Sequence, residues 1–142
     1  MRKLLALLLF SLLTFAQAPT SEFAVFDIYL DTGAEPLAAY QLKISDERAA
    51  VKILSVEGGE HPSFAEPPKF DPKAIQRDVI KIAAFSLNGR GQHPSGRTRI
   101  ASLHVEIGPG LTPEWIATVQ AAAGPGGAKI STQVTISKRE NQ

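Results

Sequence analysis

Three histidines, His61, His93 and His104, are the first residues in this chain that could do chemistry. Metal ligation needs donors that converge on one point, each oriented by a further partner. These three show no His-x-His or HExxH spacing and fall in a loop, a second loop and a strand. Solvated surface histidines are therefore expected, with His104 facing outward by strand parity. Calcium would need six to eight oxygens. Asp27 and Asp31 share one strand face but stand about 13 Å apart. Glu57, Glu60, Glu66 and Asp71 cluster in sequence, yet no D-x-[DN]-x-[DN]-G loop organises them. Solvated carboxylates are the expectation. Nucleophilic catalysis has no signature: there is no cysteine and no GxSxG, and Ser63 merely follows His61 and Pro62. Gly89-Arg90-Gly91 lacks the spacing and the following helix of a phosphate loop. A carboxylate pair for glycoside hydrolysis is a matter of spatial separation, so a small secreted hydrolase stays as an alternative. No catalytic residue, metal ligand or cofactor is assigned.

Aromatic side chains are the other candidates, because sugars stack on exposed rings. Phe26, Tyr40 and Trp115 alternate with aliphatic residues and are expected in the core. Tyr29, Phe64 and Phe70 remain as possible platforms, although the two phenylalanines are expected rather to pin their loop to the body of the protein. With Glu60 and His61 they make up the candidate binding residues.

These residues are carried by strands and one long loop. Seven segments have the period-2 pattern of half-buried strands: 23–31, 37–45, 50–56, 78–87, 99–107, 114–122 and 129–137. Segment 78–87 is apolar on both faces and is expected to be a central strand. In 50–56 the adjacent Ile53 and Leu54 blur the parity. Glycine- and proline-rich turns separate the segments. The only helical candidates are a short piece at 72–77, with Asp71 as N-cap and Pro72 at the first position, and a second at 46–50. Many short strands without βαβ alternation argue for a single all-β sandwich of jelly-roll type with about seven to nine strands.

The loop, residues 56–75, contains Pro62, Pro67, Pro68 and Pro72, so no ladder or long helix runs through it. Prolines lower the entropy lost on ordering. Phe64, Phe70 and Ile75 give the loop apolar groups to dock. Gly58 and Gly59 are expected to supply a conformation that other residues resist as the chain leaves its strand. An ordered cap over an end or edge of the sandwich is expected, which would also block edge-to-edge pairing.

Residues 1–18 read as a signal peptide: Arg2 and Lys3, then an apolar run, then Ala16-Gln17-Ala18. Cleavage after Ala16 or Ala18 leaves a domain spanning 19–142, secreted or periplasmic, with no membrane insertion after cleavage. Loss of Arg2 and Lys3 turns the formal charge of +1 into −1. With no basic run, nucleic acid is not an expected partner. Without cysteine the fold must rely on its core, and a lipobox anchor is excluded.

Four segments together resemble the cohesin family, and more widely the sandwich shared with family 2 and family 3 carbohydrate-binding modules. They are the run from Ala38 through Tyr40 and Leu42 to Ile44, the run from Val51 through Ile53 and Val56 to Gly58, the run from Ile80 through Ala83 and Phe85 to Ser86, and the run from Thr98 through Ala101 and Leu103 to Val105. The resemblance covers about residues 23–137, apart from the proline-rich loop. It implies a cohesin-like, non-catalytic module that recognises a protein partner or a polysaccharide across the sandwich surface. It transfers no individual contact residue.

Overall fold

The computed structural model describes residue 15, residues 17–89 and residues 91–141. Most of the leader expected at 1–18, including Ala16 of the first cleavage position, lies outside the described residues. All seven strands form: β1 (Glu22–Asp31), β2 (Ala39–Asp46), β3 (Val51–Gly58), β4 (Val79–Phe85), β5 (Arg97–Ile107), β6 (Trp115–Ala123) and β7 (Gln133–Lys138). They make a β-sandwich of two antiparallel sheets, ordered β3-β5-β1-β7 and β4-β2-β6. Odd-numbered strands build one sheet and even-numbered strands the other. Each turn between successive strands therefore crosses from sheet to sheet, and every ladder joins segments distant in sequence.

Alternation decides which residues fill the space between the sheets. Phe26, Ile28 and Leu30 of β1 meet Leu42 and Ile44 of β2, Ile80 and Ile82 of β4, and Leu103 and Val105 of β5 in one buried cluster. The phenol of Tyr40 crosses this core and donates to the Ile100 carbonyl, 3.4 Å away on the opposite sheet. Burial pushes its pKa up, so it stays a neutral donor. Three irregularities shift the alternation. Leu54 is an extra residue in β3 against β5, Ile100 in β5 against β1, and Gln120 in β6 against β2. The blurred parity at Ile53 and Leu54 is thus a bulge. Beyond Gln120 the inward position passes to Ala122, which is buried.

Four sequence expectations need correction. β4 is an edge strand, because the even sheet has three members and β2 takes the middle. Its second apolar face is Val79, Ala83 and Phe85, and Phe85 is 60 % exposed. Segment 46–50 is a turn, not a helix. Trp115 is half-buried at the margin of the core, edge-on to Phe26 with centroids 5.2 Å apart. Lys129 and Ile130 do not belong to β7. They pair with the end of β6, where the Ile130 amide donates to the Ala122 carbonyl at 3.0 Å.

The turn after β2 is held by Asp46, which is 4 % exposed. Its carboxylate accepts from the amides of Arg48 (3.1 Å), Ala50 (2.5 Å), Val51 (3.2 Å) and Glu114 (2.8 Å). One side chain thereby fixes the β2–β3 crossing and the entry to β6. Asp46→Ala leaves buried amides without an acceptor, each costing about 1–3 kcal/mol. The expected loss is roughly 3 kcal/mol or more, seen as a lower urea midpoint. Asp71→Ala, which removes an exposed cap, should cost only about 1 kcal/mol.

Candidate functional site

The loop after β3 is ordered by its own chemistry. His61 caps a 3₁₀ turn at Pro62–Phe64, its Nδ1 accepting from the Ser63 amide at 3.1 Å. Asp71 caps a second at Pro72–Ala74 by accepting from the Lys73 amide at 2.9 Å, as its sequence position predicts. The Ser63 hydroxyl donates to the Gln92 carbonyl at 2.8 Å and accepts from Asn88 Nδ2 at 3.0 Å. Two edges are covered at once. Lys69 exchanges backbone hydrogen bonds with Ala83 on β4, at 2.8 and 3.0 Å. The Gln76 amide donates to the Ile53 carbonyl on β3 at 2.7 Å, and the Ile53 amide donates to the Arg77 carbonyl at 2.8 Å. The segment is the expected ordered cap, and it covers part of the β4 edge and part of the β3 edge.

Gly58 and Gly59 serve it differently from expectation. Neither has a positive φ. A Cβ on Gly58 would strike the Ala65 carbonyl, and one on Gly59 the backbone of Arg99 and Ile100. Glycine is needed there for close backbone approach.

The five candidate binding residues do not form one site. Glu60 is exposed but committed to fastening the loop: its Oε1 accepts from the Arg99 amide at 2.8 Å, and its own amide donates to the Arg99 carbonyl at 3.0 Å. His61 is the cap just described. Phe64 is 2 % exposed and lies 5.4 Å from the Tyr40 ring, so it is no platform. Phe70 is partly buried against the core. Tyr29 lies on the outer face of the four-stranded sheet, with the Arg97 guanidinium 3.5 Å from its ring centroid. Four of the five hold the cap, and the fifth stands on another surface.

That outer face carries a polar network which the sequence reading missed. Asp27, expected to be solvated, is 7 % exposed. It receives Arg139 Nη2 at 2.6 Å, Arg139 Nε at 3.1 Å and the Ser102 hydroxyl at 2.7 Å. Ser102 Oγ in turn accepts from Arg99 and Arg139, each at 3.1 Å, which uses its full capacity. His104 Nε2 lies 3.0 Å from Glu57 Oε1, and Lys138 pairs with Glu22. Among the described residues no group of three or more His, Asp or Glu is arranged for a metal ion.

The outer face of the smaller sheet is different. Ala39, Ala83, Ala121 and Ala123 line a shallow trough of about 380 Å³ walled by Phe85. A second hollow, of about 330 Å³, lies between Phe85 and the loop at Pro62, Glu66 and Pro67. The two meet at Lys69 and Phe85, where the ammonium sits 5.7 Å from the ring centroid. Sequence hid this surface because Phe85 read as one more buried residue of a central strand.

Phe64→Ala should lower stability by about 3–5 kcal/mol, whereas Phe85→Ala, at an exposed ring, should cost under about 1 kcal/mol. Chemical denaturation of both variants measures the difference. A second expectation concerns Asp27. Burial alone would raise its carboxyl, but the hydrogen bonds from Arg139 and Ser102 and the Arg139 charge outweigh it and hold the group below its ordinary value of 3.8. A carboxyl depressed by folding stabilises the protein above its unfolded pKa and loses that contribution as pH falls through the folded one. Arg139→Gln should therefore be less stable than the parent at pH 7. The gap should shrink below about pH 3.8, as thermal melts across pH will show.

Compared with known proteins, the chain matches no family model, no curated protein and no solved structure.

Proposed function

We propose that this chain is an exported, non-catalytic binding module of cohesin-like character, which recognises a protein partner across the outer face of β4-β2-β6. The observation that carries the reading is Phe85. A large apolar ring, 60 % exposed at the wall of an alanine-lined trough, contributes little to folding and is placed for contact. Alanines around it let another backbone approach closely, and the polar rim of Gln41 and Gln120 suits the margin of a protein interface. The resemblance to cohesins points to the same use of a sheet face.

Polysaccharide recognition on such sandwiches rests on a planar row of rings. The strongly exposed strand aromatics, Phe23 at 73 % and Phe85 at 60 %, stand on different sheets and cannot share a chain of sugars. This favours protein over carbohydrate.

The test is capture by the immobilised, leader-free chain from the exported proteins of its source, run beside polysaccharide affinity gels. The parent should retain a protein saturably. Phe85→Asp should retain at least about tenfold less while keeping its circular dichroism, since a fully desolvated aromatic anchor contributes more than 1.4 kcal/mol. Retardation on a polysaccharide gel that survives Phe85→Asp, with no protein captured, would overturn the reading.

A further inference from the structure

The two outer faces of the sandwich differ in their charge accounting. On the four-stranded sheet the cations Arg99, Arg139 and Lys138 each find an acceptor or a carboxylate, and Lys52 and Arg97 stand opposite Glu106 and Asp31 in their ladders. On the three-stranded sheet they do not. Its middle row sets Lys43 of β2 directly opposite Lys81 of β4, with Thr118 of β6 on the other flank. Like charges directly opposite in a ladder are destabilising. Both lysines are exposed, and neither makes an ion pair among the described residues. The outward strand positions on either side of this row are Val79, Ser45 and Ile116 at one end, and alanines, Gln41 and Phe85 at the other. None is acidic. Lys69 adds a third cation beside Phe85.

Defence of an edge does not account for the pair. Lysines on edge strands discourage pairing with other chains, and Lys81 is on such a strand. But the β4 edge is already occupied near its end by the backbone of Lys69, and Lys43 belongs to the central strand, which has no edge. A repulsion retained on the middle strand, next to an uncovered apolar trough, fits a surface completed by something negative.

We propose that this face takes an acidic segment of a protein partner, with carboxylates set over Lys43 and Lys81 and an apolar side chain seated in the trough against Phe85. The assignment rests on the protein-binding reading above and names the chemistry of the partner. Alternating acidic and apolar side chains suit it, because the cationic row and the trough are adjacent strips of one sheet. A polyuronate would satisfy the lysines but leave the trough empty.

The experiment measures binding of the leader-free chain to three immobilised probes: a short peptide alternating glutamate and leucine, its lysine–leucine counterpart, and de-esterified polygalacturonate. The glutamate peptide should bind best. Its binding should weaken several-fold between about 50 and 500 mM salt, where screening shortens from well over 10 Å to a few ångströms. The double variant Lys43→Ser/Lys81→Ser should lose at least about tenfold, and its melting temperature should be unchanged or higher because the repulsion is gone. Equal binding of both peptides, or undiminished binding by the double variant, overturns the proposal. Binding of polygalacturonate alone overturns it in favour of a polysaccharide. The two readings separate in the capture experiment. If Phe85→Asp abolishes capture of the native partner and the double lysine variant does not, the acidic partner is refuted and the protein-binding face stands. If Phe85→Asp captures normally, both fall.

Discussion

Every connection in this sandwich crosses between the sheets, and most of the other features answer that constraint. A hairpin sets the register of its two strands through its turn. No ladder here has that help among the described residues, since β1 pairs with β5 and β7, and β2 with β4 and β6. Register must come from burial and from local irregularities. A slip of one residue on β1 would carry Ile28 and Leu30 to the outer face and Asp27 into the core. The bulges at Leu54, Ile100 and Gln120 localise the departures from strict alternation. Polar side chains then hold the crossings: Thr32 Oγ1 donates to the Glu35 carbonyl at 2.6 Å after β1, and Asp46 gathers four amides after β2.

The third crossing is the longest because it has the most to cover. β3 is an edge of one sheet and β4 an edge of the other. A direct turn would join them and leave both rows of backbone groups open to another chain. The path taken instead satisfies part of each row, with Gln76 and Arg77 on β3 and Lys69 on β4, and buries Phe64 between. In a domain without disulfides, this closure ties the two sheets together through the backbone as well as through the core.

The sequence made strands and caps legible and neighbours illegible. Seven period-2 segments predict seven strands, because alternation is a local record of which face is buried. Asp71 before Pro72 predicts its cap for the same reason: the hydrogen bond is to a residue two positions on. The prolines and phenylalanines of the loop predict order, and the adjacent Ile53 and Leu54 signal an anomaly whose meaning, a bulge, needs the partner strand. What depends on the partner was misread. Val79, Ala83 and Phe85 look like a second buried face until the outer side of the smaller sheet is seen to be uncovered, as Gln41 and Lys43 on its middle strand also show. Asp27 looks solvated until Ser102 and Arg139 arrive from 75 and 112 residues away. Phe64 and Phe70 are candidates by residue type alone, and type does not distinguish a ring that binds from a ring that pins.

The cap and the proposed surface are physically joined. Lys69 belongs to the loop, yet its backbone pairs with Ala83 and its ammonium leans over Phe85, so the cap extends the smaller sheet and supplies one wall of its trough. Phe64, buried against Tyr40, anchors the loop close to this point, and Tyr40 in turn reaches Ile100 of the opposite sheet. A chain of contacts therefore runs from the core, through a pinned loop, to the exposed ring. The apolar and charged elements at its outer end, Phe85 and the facing lysines, contribute little to folding or oppose it. Stability and recognition are thus divided between neighbouring residues. The rings that hold the cap are buried and the ring that could meet a partner is not. The loop's order keeps the second in position without drawing it into the core.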